Sequence, residues 1–150
     1  MSDSTTLKSL KRPLIVCLFL AVFAEFLMFL IFGVLLYPDG NLLAKFLWTV
    51  LFCGVGMGSA MGVFVVLFVV EKLKGVGAIV ACILISTLLL GFGCNFLCFL
   101  LDKHFHYFGG HESPLIFISN GIIMSALGGL ISGYLLFTKK GDKILQRVGI

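Results

Sequence analysis

The sequence predicts an all-α, polytopic membrane protein: a four-helix antiparallel transmembrane bundle with both termini in the cytoplasm. Three observations carry that expectation. First, 60% of the 150 residues are hydrophobic, only 12% are charged, and the mean hydropathy is +1.16. Soluble chains are about half apolar and a quarter charged. Second, the apolar residues gather into four runs, near 14–37, 43–70, 76–101 and 115–137, each close to or above the roughly 20 residues that cross a bilayer as a helix. Third, nine of the eleven Lys and Arg fall on one side of the resulting zigzag, which is the positive-inside pattern over short links. Residues 1–150 thus read as a single membrane domain, multi-pass in a cell (inner) membrane. Any function is expected in the helices or the short loops.

Each element has its own local justification. Lys8, Lys11 and Arg12 precede the first run. The stretch "LIVCLFLAVFA" has the look of a secretory signal core cleaved after Ala24, but the run continues through "FLMFLIFGVLLY". That is too long for a signal core and suits a spanning helix. "YPDGN" (Tyr37 to Asn41) combines turn-forming residues. "EKLKG" (Glu71 to Gly75) makes the second link very short, so the second and third runs are expected to form a hairpin. Lys72 and Lys74 mark that link as cytoplasmic, while Lys45 and Lys103 lie on the opposite side. "GGHESP" interrupts the chain before the fourth run, with Pro114 suited to a first helical turn. Tyr37, Trp48, Tyr107 and Tyr134 fall near the interfaces, where amphipathic rings are favoured. The tail "KKGDKILQRVGI" mixes Lys139, Lys140, Lys143 and Arg147 with Ile144, Leu145 and Val148. It suits a short amphipathic segment on an anionic leaflet or against a cytoplasmic partner.

Small residues recur every four positions in two runs: Gly54, Gly58 and Gly62 in the second, Gly121, Ser125, Gly129 and Gly133 in the fourth. Such spacing places them on one helix face, and small residues let helix backbones approach closely in lipid. The stripes predict tight contacts of these two helices with each other or across a subunit interface. "GVGMGSAMG" is no nucleotide fingerprint, because no strand precedes it and no βαβ unit surrounds it.

Glu25 is the sharpest polar signal, near the middle of the first run. Comparable charges cost about 2.5 to 3.5 kcal/mol at a helix centre on insertion scales, and such residues mark ion or proton paths unless they serve as hydrogen-bonding glue. Asn95 and Asn120 belong to the outer half of the third and fourth runs; facing Glu25, they would make a polar pocket open to the outside. The five cysteines all lie inside the runs, and an odd number buried in lipid argues against a disulfide framework. Cys94 and Cys98 share a face, with Cys53 at similar depth, so a soft metal such as Cu(I) has thiol ligands within reach, near Met57 or His104. In "DKHFHYFGGHE", Asp102 and His106 would sit one turn apart if the helix ran on, and His111 and Glu112 could fold back to complete a Zn site. The spacing matches no established zinc signature, and a solvated interfacial loop accounts for these residues equally well.

No nucleic-acid partner is needed to explain a net charge of +4, and nothing resembles a catalytic triad, a phosphate loop or paired carboxylates. The partners expected are the lipid bilayer and either other membrane subunits or copies of the same chain. Two functions follow. The first is an accessory, assembly or interaction subunit held by its glycine stripes. The second is a small proton- or cation-linked transporter or channel using Glu25, Asn95 and Asn120.

Overall fold

The structure, a computed structural model, describes residues 3–36, 38, 40–106 and 114–150. All secondary structure among them is helical. Helix α1 runs Asp3–Met28 and winds on through Phe29–Leu36. Helix α2 is Leu42–Val70 and α3 is Gly75–Phe105. Helix α4 is Pro114–Phe137, and a short α5, Lys139–Val148, follows it. These bounds track the four apolar runs because a chain in hydrocarbon must bond every backbone group within its own helix.

The ends are set by local chemistry. Asn41 caps α2, its side chain accepting from the Ala44 amide at 3.0 Å, after Gly40 has turned the chain with φ 96°. The α2–α3 link closes through Lys72 and Leu73 amides donating to the Val69 carbonyl at 3.2 and 3.0 Å. Gly75 then takes φ 58°, where a side chain is disfavoured. His106 ends α3 in the left-handed conformation, φ 54°, with its amide donating to the Asp102 carbonyl at 2.8 Å. Thr138 breaks α4 from α5: its hydroxyl donates to the Tyr134 carbonyl at 2.7 Å and accepts from the Gly141 amide at 3.0 Å.

Among the described residues, α1 over Leu10–Leu36, α2 and α3 are each long and apolar enough to cross a membrane, with 27, 29 and 31 residues. A fourth qualifies when Gly121–Phe137 is taken together with α5 across a bend of 87°. The chain thus has the make-up of a multi-pass membrane protein, with three to four helices fit to span. The outward surface agrees: Phe19, Leu35, Leu88 and Val76 are 66%, 74%, 65% and 76% exposed. Apolar cover on that scale is untenable in water and natural in lipid. Inside, the core is made of small side chains, with Cys17, Val65, Val69, Ala78 and Cys82 at 1% exposure or less.

Neighbours in sequence are neighbours in space: α1 lies along α2, α2 meets α3, α3 lies along α4, and α4 closes back onto α1. The two glycine stripes do not meet each other. Gly54, Gly58 and Gly62 sit against α1, where an added Cβ would come within 3.1 Å of Val22 Cα, 2.6 Å of Ala21 Cβ and 3.0 Å of Leu14 Cα. Gly129 and Gly133 sit against α3, with an added Cβ at 2.7 Å from Ile83 Cα and 2.9 Å from Ile79 Cα. The expectation of a contact between the second and fourth helices is corrected by the order of packing around the ring: each stripe is used against the helix just before it in sequence.

Three of the long helices also widen from α to π winding, over Phe29–Leu36 in α1, Leu47–Met57 and Val66–Val70 in α2, and Thr87–Cys94 in α3. Such winding is rare in general and recurs at functional sites. The α1 segment follows Glu25 within one turn, and the α3 segment ends next to Asn95.

Candidate functional site

A cavity of about 50 Å³ lies among the helices, lined by Glu25 and Cys17 of α1, Met61 of α2, Ser86 and Asn95 of α3, and Gly121, Ser125 and Ser132 of α4, among others. Glu25 and Asn95, singled out in the sequence, line the same space. Asn120 lies on α4, but its side chain is outside the described residues. Glu25 is half-buried and accepts no hydrogen bond from any described residue. Its Cβ lies 3.4 Å from where a side chain on Gly54 would begin, an ordinary contact across the α1–α2 interface.

The other polar groups of the cavity have their donors already engaged. Asn95 donates its amide hydrogens to the carbonyls of Leu90 and Gly91 at 2.8 and 3.1 Å, five and four residues back in its own helix. A side chain on Gly121 would collide with that amide, so Gly121 is the complement of Asn95. Ser86 donates across the interface to the Ser125 carbonyl at 2.6 Å, and Ser125 donates to the Gly121 carbonyl at 2.6 Å. Ser132 donates to the Gly129 carbonyl at 3.0 Å. The lining residues thus have oxygen acceptors to offer: the Glu25 carboxyl, Asn95 Oδ1 and the serine hydroxyl oxygens. Among the described residues no Lys or Arg lines the cavity. Hard cations and protons are the species that oxygen acceptors of this kind hold.

A cross-link flanks this layer. Cys53 and Cys94 form a disulfide between α2 and α3, with Cα atoms 6.3 Å apart. The expectation that the intramembrane cysteines stay unlinked is overturned. The parity argument excluded only a pairing of all five, and said nothing of one pair brought together by neighbouring helices. Cys17 and Cys82 are free and buried in the core, while the side chain of Cys98 is outside the described residues. The bridge stands one residue from Gly54 and one from Asn95, so α2 and α3 are clipped at the level of the polar cavity.

Sequence reasoning missed Lys45. Counted only as an outer-side charge, it is fully buried at 0% exposure, and its ammonium donates to the Gly33 carbonyl at 3.0 Å. Gly33 sits in the π-wound end of α1, and a side chain there would begin 3.6 Å from Lys45 Cδ. The signal available in sequence was the pairing of a glycine near one helix end with a lysine just past the next turn. Ser86 and Ser132, each 1% exposed, carry no sequence signal beyond their small size.

The loop behaves differently from its conditional reading. Helix α3 stops at Phe105, so Asp102 and His106 do not present adjacent side chains on one helical face. Asp102 is buried at 4%, and His106 is exposed. Tyr37, Tyr107, His111 and Glu112 lie outside the described residues. Among the described residues, no three His, Cys, Asp or Glu side chains converge as a metal site would require. No protein family, curated protein or solved structure matches this chain.

Proposed function

We propose that the chain crosses the bilayer four times with both termini cytoplasmic, and that it serves as a small proton- or cation-linked transporter or channel with Glu25 as its binding group. The single observation that carries this reading is Glu25 lining a cavity with Asn95, Ser86 and Ser125, without a hydrogen-bond partner among the described residues. A carboxyl that served as glue between helices would be expected to hold such a partner. The accessory-subunit reading stands first on sequence grounds because one central acid, no deep basic residue and no broken helix give little transport machinery. It draws added support from glycine stripes able to pack across a subunit interface. The close approaches of those glycines to α1 and α3 make that support weaker.

Reconstitution in liposomes tests the proposal. Wild-type protein should carry a proton or monovalent-cation flux, Glu25→Gln should abolish it, and Asn95→Ala should reduce it. Flux equal in wild type and Glu25→Gln, or no flux at all together with a partner that co-purifies in mild detergent, would return the balance to the accessory subunit.

A further inference from the structure

Helix α5 has two chemically distinct sides. Gly141 and Leu145 are buried, the latter at 6% exposure, and an added Cβ on Gly141 would come 2.5 Å from Leu135 Cα at the end of α4. Residues four apart share a helix face, so this pair is the seam against the bundle. Asp142 beside it pairs with Arg12 Nη1 at 2.5 Å, and Arg12 Nε donates to the main-chain oxygen of Ile150 at 3.1 Å. These contacts hold α5 across the foot of α1, at 87° to α4, so that it lies roughly parallel to a membrane surface when α4 crosses the bilayer as proposed above.

The opposite side is basic. Lys140, Lys143 and Arg147 follow one another at three- and four-residue spacing and are exposed, with Lys139 beside them. Among the described residues no carboxylate pairs with any of the four; the acid of α5 is engaged by Arg12. Between the seam and the basic side lie Ile144 and Val148, 45% and 69% exposed. A helix in water gains nothing from that flank. A helix lying in the plane of a membrane interface places such a flank among acyl chains and its basic residues at the headgroups.

We propose that α5 is an interfacial helix whose basic side binds the phosphate headgroups of anionic phospholipids in the leaflet beside the foot of α1. The seam and the Arg12 clamp fix the height of the helix, Ile144 and Val148 dip into the hydrocarbon border, and the four cations meet the headgroups. The charge match favours an anionic lipid, and the apolar flank favours a lipid over an acidic protein, which would leave that flank wet.

Full-length protein reconstituted into phosphatidylcholine bilayers, with or without phosphatidylglycerol, provides the test. Amide hydrogen exchange over residues 139–148 should slow when phosphatidylglycerol is present, and raised salt should cancel the difference, because surface electrostatics are screened. In the triple variant Lys140→Gln, Lys143→Gln, Arg147→Gln, exchange should be equal in both bilayers. Phosphatidylglycerol retained through detergent extraction should bind about fivefold more weakly for each charge removed. Equal exchange of the wild type in the two bilayers would overturn the proposal. So would exchange that is indifferent to the lipid but slowed by soluble polyglutamate, which would assign the surface to an acidic protein instead.

Discussion

The α1–α2 and α3–α4 interfaces use the same device and put it to different ends. In both, a glycine every four residues brings one helix against the backbone of its predecessor. At α1–α2 the nearest neighbours of those glycines are Val22, Ala21 and Leu14, all apolar, and Glu25 Cβ lies farther from Gly54 at 3.4 Å. At α3–α4 they include Asn95 and Ser86, and the interface also carries the Ser86–Ser125 hydrogen bond. Close approach alone is therefore enough to join two helices in lipid, where dispersion and shape do the work that water exclusion does in solution. Hydroxyls and amides are then an addition. Here they cluster where α3 and α4 border the cavity, and α1 supplies the acid opposite them.

Four substitutions bear on that comparison. The largest effect is expected at Gly129. A valine there meets two backbone atoms of α3, Cys82 O and Ile83 Cα, both at 2.7 Å. Backbone cannot step aside as a side chain can, so Gly129→Val should lower stability by about 3 kcal/mol in a bicelle unfolding titration. Gly58→Val should cost less, about 2 kcal/mol, because only one fixed atom, the Ala21 Cβ at 2.6 Å, lies within 3 Å there, whereas Gly129 meets three. The reverse order would mean that the apolar interface is the more rigid one.

Removing polarity should matter less than adding bulk. Ser86→Ala deletes the hydrogen bond to the Ser125 carbonyl, a contact of a kind that averages about 0.6 kcal/mol between membrane helices. A loss well above that in the same titration would mean that hydroxyls, not close approach, hold α3 to α4. Gly128→Ala is the control with the smallest effect. It borders the cavity with nothing within 4 Å of an added Cβ, so stability should stay within about 0.5 kcal/mol of wild type. A large loss at Gly128 would show that the cavity is filled or closed in the folded protein.

What the sequence determined by itself was the solvent and the elements. Hydrocarbon imposes one requirement on every residue of a spanning segment, so composition and run length alone placed the helix ends within a few residues, apart from the start of α1, which begins at Asp3 and not near Leu14. "YPDGN" and "EKLKG" were legible as links. Glycine spacing, likewise a local property, was readable as a face. The pairing of faces was not, because i, i+4 periodicity states which residues share a side and not which helix that side meets. Only the tertiary structure set the glycine stripe of α2 against α1, joined Cys53 to Cys94, buried Lys45 under the Gly33 carbonyl and brought Glu25 to the same cavity as Asn95. Each of these depends on the relative rotation and height of two helices, quantities that are fixed by the fit of side chains across an interface and written in neither helix alone.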